Sequence, residues 1–163
     1  MLHTELFCGL EKNNPAYAIR QAVFVNEQGF DPDLEFDEKD MTAFHVLVFS
    51  DAVPIAVGRF FIMEDNITAY LGRIAVLKEH RGKKIGAYLL HQLEHEAKQK
   101  GAHFSMLGAQ LHAKGFYEKL GYNTHFEMKV SENVKDEFDF VNDFIERDIR
   151  PENNGQYILD VKA

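Results

Sequence analysis

Between Ala43 and Val76 the chain carries three consecutive runs rich in β-branched and aromatic residues, AFHVLVFS, IAVGRFFIM and ITAYLGRIAV. Short turns at Asp51–Pro54 and Glu64–Asn66 part them. Runs this close together pair as antiparallel neighbours, because a connection of a few residues cannot cross over to a parallel position. The period then changes. Ile85, Tyr88, Leu89, Leu93 and Ala97 share one face of a helix that stops before Gly101. A strand over 102–108, a helix over 112–120 and a strand over 122–130 follow. This order excludes a doubly wound parallel sheet. It predicts an α/β chain with a mixed sheet flanked by helices.

The flanks of this block are read in the same way. Residues 2–8 are a short strand, and Pro15 opens a helix over 15–26. Residues 27–42 read as an acidic loop. In 131–150, Val134, Phe138, Val141, Ile145 and Ile149 step by four, three, four and four, which favours an amphipathic helix. The alternation of Phe138 and Phe140 leaves a hairpin arm open for part of that stretch. QYILDVK, 156–162, closes the chain as a strand after Asn154-Gly155. No repeat, low-complexity tract or linker interrupts the 163 residues, so one domain over 1–163 is expected. The start has no basic leader with an apolar run, and no stretch approaches the ~18 apolar residues of a membrane span. Cys8 is the only cysteine, which rules out a disulfide scaffold. A soluble protein of the cytoplasm is expected.

The net charge is −8, from 26 acids and 18 bases, which argues against nucleic acid or an anionic membrane as partner. The acidity is concentrated. Residues 31–40 hold six acids and one lysine, and 131–152 hold eight acids and three bases. Outside both segments 14 bases face 12 acids, and Lys78, Arg81, Lys83 and Lys84 form a basic cluster.

That cluster lies in GRIAVLKEHRGKKIGAYLL, 72–90. A strand ends at Val76, and Arg81-Gly82-Lys83-Lys84-Ile85-Gly86-Ala87 opens the next helix. Free N–H groups, the positive end of the helix dipole, two glycines and three cations suit a diphosphate. The spacing is neither GxxxxGK[ST] nor GxGxxG, so a Walker loop is excluded and a dinucleotide fingerprint is unsupported. A solvated basic helix start with a packing glycine is the competing reading of the same residues.

A second element adds weight. GAQLHAKGFYEKLGY, 108–122, leads from a strand into a short helix carrying Phe116-Tyr117 and ending at Gly121-Tyr122. With Arg81-x-x-Lys84-x-Gly86 and this Phe-Tyr…Gly-Tyr setting, the chain resembles the GCN5-related N-acetyltransferases (GNAT family). Lys84 stands where that family most often has glycine. Upstream, Arg20-Gln-Ala-Val-Phe-Val-Asn-Glu27-Gln28, followed by Asp37, Asp40, Ala43 and His45, is similar to the ElaA-like branch. The likeness spans about 15–123. The Ile-Pro-His closing strand of that branch is missing.

The resemblance implies the acyl-CoA N-acyltransferase fold, with a mostly antiparallel mixed sheet. It also implies acetyl-CoA as cosubstrate, no metal, and acetyl transfer to a primary amine of a small molecule or peptide. Ile74, Ala75 and Val76 would offer backbone groups to the pantetheine arm. Arg81, Gly82, Lys83, Lys84, Ile85, Gly86 and Ala87 would surround the diphosphate, and Gln110 would reach the cofactor. A backbone N–H near Val76 would stabilise the thioester oxygen. Tyr117 would be the general acid for the departing thiolate. For the base, Glu27 ranks first because it lies in the matching upstream segment. Glu64, His112, the acids of 31–40 and a water chain are the alternatives. A homodimer is compatible with this picture.

Other features carry less. His91 and His95 are four apart on one helix face but lack a third metal ligand. Cys8 reads as a buried small hydrophobe. Arg73, inside an apolar strand, marks either a bulge or a water-facing edge position. The acidic loop adjoins the segment that would wall the acceptor side, so Asp37 and Asp40 suggest a cationic acceptor. The competing functions are a non-catalytic acyl-CoA-binding or protein-interaction module on the same fold, and nucleic-acid binding through Lys78–Lys84.

Overall fold

A computed structural model describes residues 1–129 and 141–148. They form two compact units, the first from 1–61 and 72–96, the second from 62–71 and the described part of 97–163. The strands are hydrogen-bonded in the order β1-β2-β3-β4-β5-β7-β6.

In the first unit, β1 (Leu2–Cys8) pairs antiparallel with β2 (Phe44–Ser50), and β2 with β3 (Val53–Ile62). The hairpin turns at Asp51, whose φ of 53° takes the left-handed region. Helix α1 (Pro15–Arg20) starts on Asn14, whose side chain accepts from the Ala16 N–H, with Pro15 in the first turn. It winds directly into a π-helix, Gln21–Glu27. Together they bury Ala16, Ile19, Val23 and Phe24 with Leu47 of β2, Val57 of β3 and Ala75. Each such aliphatic burial stabilises by about 1.5–3 kcal/mol. The acidic stretch is not a plain loop. It contains the short helix α2 (Pro32–Glu35), capped by Asp31, and a 3-10 turn, Glu38–Met41.

β4 (Thr68–Val76) gives its first residues to the second unit and its last to the first. Helix α3 (Ile85–Gln99) buries Ile85, Leu89, Leu90, Leu93 and Ala97. Gly58 of β3 makes room for it, since a Cβ there would stand 2.5 Å from Leu93 Cδ1.

In the second unit β4 runs parallel to β5 (Phe104–Ala109), with Thr68–Leu71 opposite Phe104–Leu107. A 3-10 turn, Leu111–Ala113, leads into α4 (Lys114–Lys119). β6 (Asn123–Lys129) and β5 both pair antiparallel with β7 (Val141–Asp148). The helix expected over 131–150 is therefore a strand where the structure describes it. Val141, Phe144 and Ile145 are good strand formers, and ladders on both sides saturate the β7 backbone, which outweighs the helical spacing. The strand expected over 156–162 lies outside the described residues.

Candidate functional site

The end of β4 and the start of α3 are joined by a 3-10 turn, Lys78–His80, and by Arg81–Lys84. Two residues of this connection are left-handed, Gly82 at φ 75° and Lys84 at φ 61°. Turns of this kind gather backbone N–H groups into an anion-binding concavity. The conformation also explains why glycine suits position 84, since an L side chain pays a steric cost there. A Cβ added at Gly82 would meet nothing within 4 Å. Lys78, Arg81, Lys83 and Lys84 are all exposed. Lys83 Nζ donates to the Glu79 carbonyl at 3.0 Å.

Arg81 reaches back across this turn. Its Nε donates to the Val76 carbonyl at 2.9 Å, and its two terminal nitrogens donate to the Glu27 carboxylate at 2.5 and 2.8 Å. Glu27 is the last residue of the π-helix. The structure thus brings together three residues of the sequence reading, Glu27, Val76 and Arg81. The hydrogen bond from Arg81 lowers the Glu27 pKa below its ordinary value, against a smaller opposing effect of burial.

Upstream in β4, Arg73 has φ 51°. It marks an irregularity of the strand, not a plain edge position. Its guanidinium donates to the carbonyls of Leu34 and Glu35 and pairs with the carboxylates of Glu35 and Asp37, at 3.1 to 3.3 Å. Behind these carboxylates lie two further arginines. Arg20, completely buried, donates to Glu35 at 2.8 Å and to Asp40 at 2.6 and 3.1 Å. Arg59, 4% exposed, donates to Asp37 at 2.7 Å and to Asp40 at 2.8 Å. Burial pushes the Asp40 carboxyl up, but Arg20 and Arg59 outweigh it and bring the pKa to about 2. Burial likewise raises Asp37, and Arg59 and Arg73 pull it lower overall.

Three arginines therefore neutralise Glu35, Asp37 and Asp40. Asp37 and Asp40, expected to face a cationic acceptor, are the carboxylates that these arginines hold. His45 lies against the same cluster, fully buried and stacked on Phe7. Its Nε2 is 3.2 Å from the Asp40 carbonyl, and its Nδ1 is buried without a hydrogen-bond partner. Burial lowers its pKa.

Gln110 and Tyr117 belong to the second unit. Gln110 follows β5 directly. Tyr117, in α4, is 7% exposed and edge-on to Phe116 and Tyr122. Burial pushes its phenol above the ordinary value of 10. Tyr122 is in turn fixed by a 2.8 Å hydrogen bond with Ser105 of β5.

Among the described residues no three His, Cys, Asp or Glu side chains gather as a metal site. No described helix is long and apolar enough to cross a membrane. Glu64 sits in an exposed turn, and His112 is exposed in the 3-10 turn before α4. Cys8 is exposed, not buried, because it ends the edge strand β1; its Sγ donates to the Thr42 carbonyl at 3.4 Å. The arginine network was missed in the sequence. The signal available was the crowding of acids in 31–40 beside isolated arginines within apolar strands at 59 and 73.

A mixed sheet whose fourth strand ends in a left-handed, basic turn at a helix start is the arrangement expected from the resemblance to the N-acetyltransferases. The comparisons agree. The model of the acetyltransferase (GNAT) family matches residues 13–122. The uncharacterized N-acetyltransferase YjcF of Bacillus subtilis is 37% identical over 112 residues, covering 69% of this chain and 79% of YjcF. A crystal structure from Lactobacillus plantarum, provisionally assigned as an N-acetyltransferase, superposes with TM-score 0.77 at 28% identity, over 91% of this chain and 99% of that one. Escherichia coli ElaA gives TM-score 0.70 at 24% identity, over 90% and 97% of the two chains. The chain belongs to the GNAT family and is an acetyl-CoA-dependent acetyltransferase.

Proposed function

We propose that this acetyltransferase moves the acetyl group of acetyl-CoA onto a primary amine by direct attack of the amine on the thioester. The observation that carries the reading is the left-handed turn through Gly82 and Lys84, set between the end of β4 and the first turn of the 15-residue α3. Backbone N–H groups from Gly82 to Ala87 receive the diphosphate, with Arg81, Lys83 and Lys84 supplying positive potential. Ile74, Ala75 and Val76 follow the last β4–β5 pair, Leu71–Leu107, and the pantetheine arm adds to them as an extra strand. A backbone N–H near Val76 stabilises the tetrahedral oxyanion. Gln110 supplies a polar contact to the cofactor.

Tyr117 donates the proton to the leaving thiolate. The phenol carries its proton at neutral pH, as a donor must, and burial makes it a weaker acid than an ordinary tyrosine, so the role rests on its place in the Phe116-Tyr117 setting. The bond formed is the amide C–N and the bond broken is the thioester C–S; the amine passes its proton through a water chain to solvent, and solvent reprotonates the Tyr117 phenolate after CoA leaves as the thiol. Glu27 is held as a carboxylate by Arg81, which makes it a poor proton acceptor, and we assign it to positioning Arg81. No covalent acetyl-enzyme is required.

The test is incubation with acetyl-CoA and a panel of primary amines, following free CoA and the acetyl amide together. Stoichiometric appearance of both with one class of amine is expected. Tight acetyl-CoA binding with no turnover across the panel would favour the non-catalytic module.

A further inference from the structure

We propose that Arg73 is a positioning residue for acetyl transfer. Its guanidinium, clamped by the segment 34–37, holds β4 in the left-handed conformation from which the cofactor-facing residues Ile74–Val76 leave. The inference rests on the proposed placement of acetyl-CoA along those residues.

Arg73 has φ 51° in the interior of a strand, a conformation that glycine adopts freely and an L side chain resists. Such outliers persist where the surroundings over-determine them. Here the surroundings are named. Arg73 Nε lies 3.1 Å from both the Glu35 carbonyl and Glu35 Oε2, and Nη2 lies 3.3 Å from the Leu34 carbonyl and 3.2 Å from Asp37 Oδ2. Two of these acceptors are the terminal carbonyls of α2, so the guanidinium caps that helix from a distant strand. An arginine fork makes all four contacts, which a lysine point charge cannot reproduce.

The clamp is itself anchored. Glu35 is held from the other side by the fully buried Arg20, and Asp37 by Arg59. Neither arginine can move without exposing an unpaired charge in the core. Arg73 is thereby referred to the protein interior, and the register of the next three residues of β4 follows from it. The consequence is a mechanical link from the acidic segment 31–40 to the strand that receives the cofactor. The crowding of acids in that segment then serves the cofactor side of the reaction.

The experiment compares wild type with Arg73→Gly and Arg73→Lys in CoA binding by calorimetry and in steady-state kinetics, each variant first shown to be folded by circular dichroism. Arg73→Gly admits the left-handed backbone without steric cost but removes the guanidinium that fixes it there. We expect its CoA dissociation constant and acetyl-CoA KM to rise tenfold or more, with the acceptor KM changed much less and Arg73→Lys falling between. A folded Arg73→Gly with wild-type affinity and KM overturns the clamp while leaving the cofactor placement standing. If Arg73→Gly does not fold, wild-type affinity in Arg73→Lys overturns it. Failure of the wild type to bind CoA overturns the cofactor placement and the clamp with it.

Discussion

Arg81 grips Glu27 through both terminal guanidinium nitrogens, at 2.5 and 2.8 Å, while its Nε stays on the carbonyl of Val76. In the proposed reaction a carboxylate held in this way positions the turn that opens α3. Glu27→Gln should therefore loosen Arg81 and raise the CoA dissociation constant several-fold, more so at low salt, where the lost charge pair is least screened. The pH–rate profile should keep its shape. Loss of its acidic limb together with a hundredfold fall in kcat would instead make Glu27 the base. Calorimetry and a pH–rate series on the variant separate the two.

Asp40 accepts from Arg20 and Arg59 in the interior, so Asp40→Asn leaves two buried cations short of a partner. Breaking a buried pair of this kind costs about 3–5 kcal/mol, readable as a lower midpoint in urea unfolding. The pH dependence follows from the same geometry. With a folded pKa of about 2 against an ordinary 3.8, Asp40 contributes stability that is complete above the ordinary value and is lost as pH falls through the folded one. His45 acts in a higher window. Its pKa is lowered by burial, so the unfolded chain takes up the proton first and stability declines as pH drops below about 6.5. Urea midpoints between pH 8 and pH 2 should fall in two stages, and His45→Phe should remove the upper one.

At the turn itself, Gly82→Ala should cost about 1–2 kcal/mol. That cost is purely conformational, since the added Cβ meets nothing within 4 Å. Lys84→Gly should leave the melting temperature unchanged or slightly raised, because relief at φ 61° offsets the added freedom of the unfolded chain. CoA affinity should fall more in Gly82→Ala than in Lys84→Gly. Thermal melts and calorimetry on the pair check both statements, and equal melting temperatures for all three proteins would contradict the backbone argument.

The strands from Leu2 to Ala109 and the long helix α3 were legible in the sequence, because their apolar residues repeat at the period of the element that buries them. The basic connection through Gly82–Lys84 was legible from its glycine and its cations, while the left-handed backbone at Lys84 was not. Two things were not. The 131–150 stretch carries a helical spacing, yet Val141–Asp148 is a strand, since pairing with both β5 and β6 is a long-range gain that spacing does not encode. The Arg20, Arg59 and Arg73 network was also hidden. Each arginine finds its carboxylates 15 to 38 residues away, so a reading along the chain saw only an acidic segment seeking a cationic ligand.

The proposed reaction makes Tyr117 the donor of the proton that the departing thiolate takes up, and one variant isolates that step. In Tyr117→Phe the buried ring and its edge-on contacts with Phe116 and Tyr122 are retained and only the hydroxyl is lost. General acid catalysis of this kind is worth about 10²–10⁴ in rate. The measurement is kcat for the variant beside its CoA dissociation constant. The account predicts a fall in kcat of at least a hundredfold with affinity within about threefold of wild type. Wild-type turnover in Tyr117→Phe would contradict it.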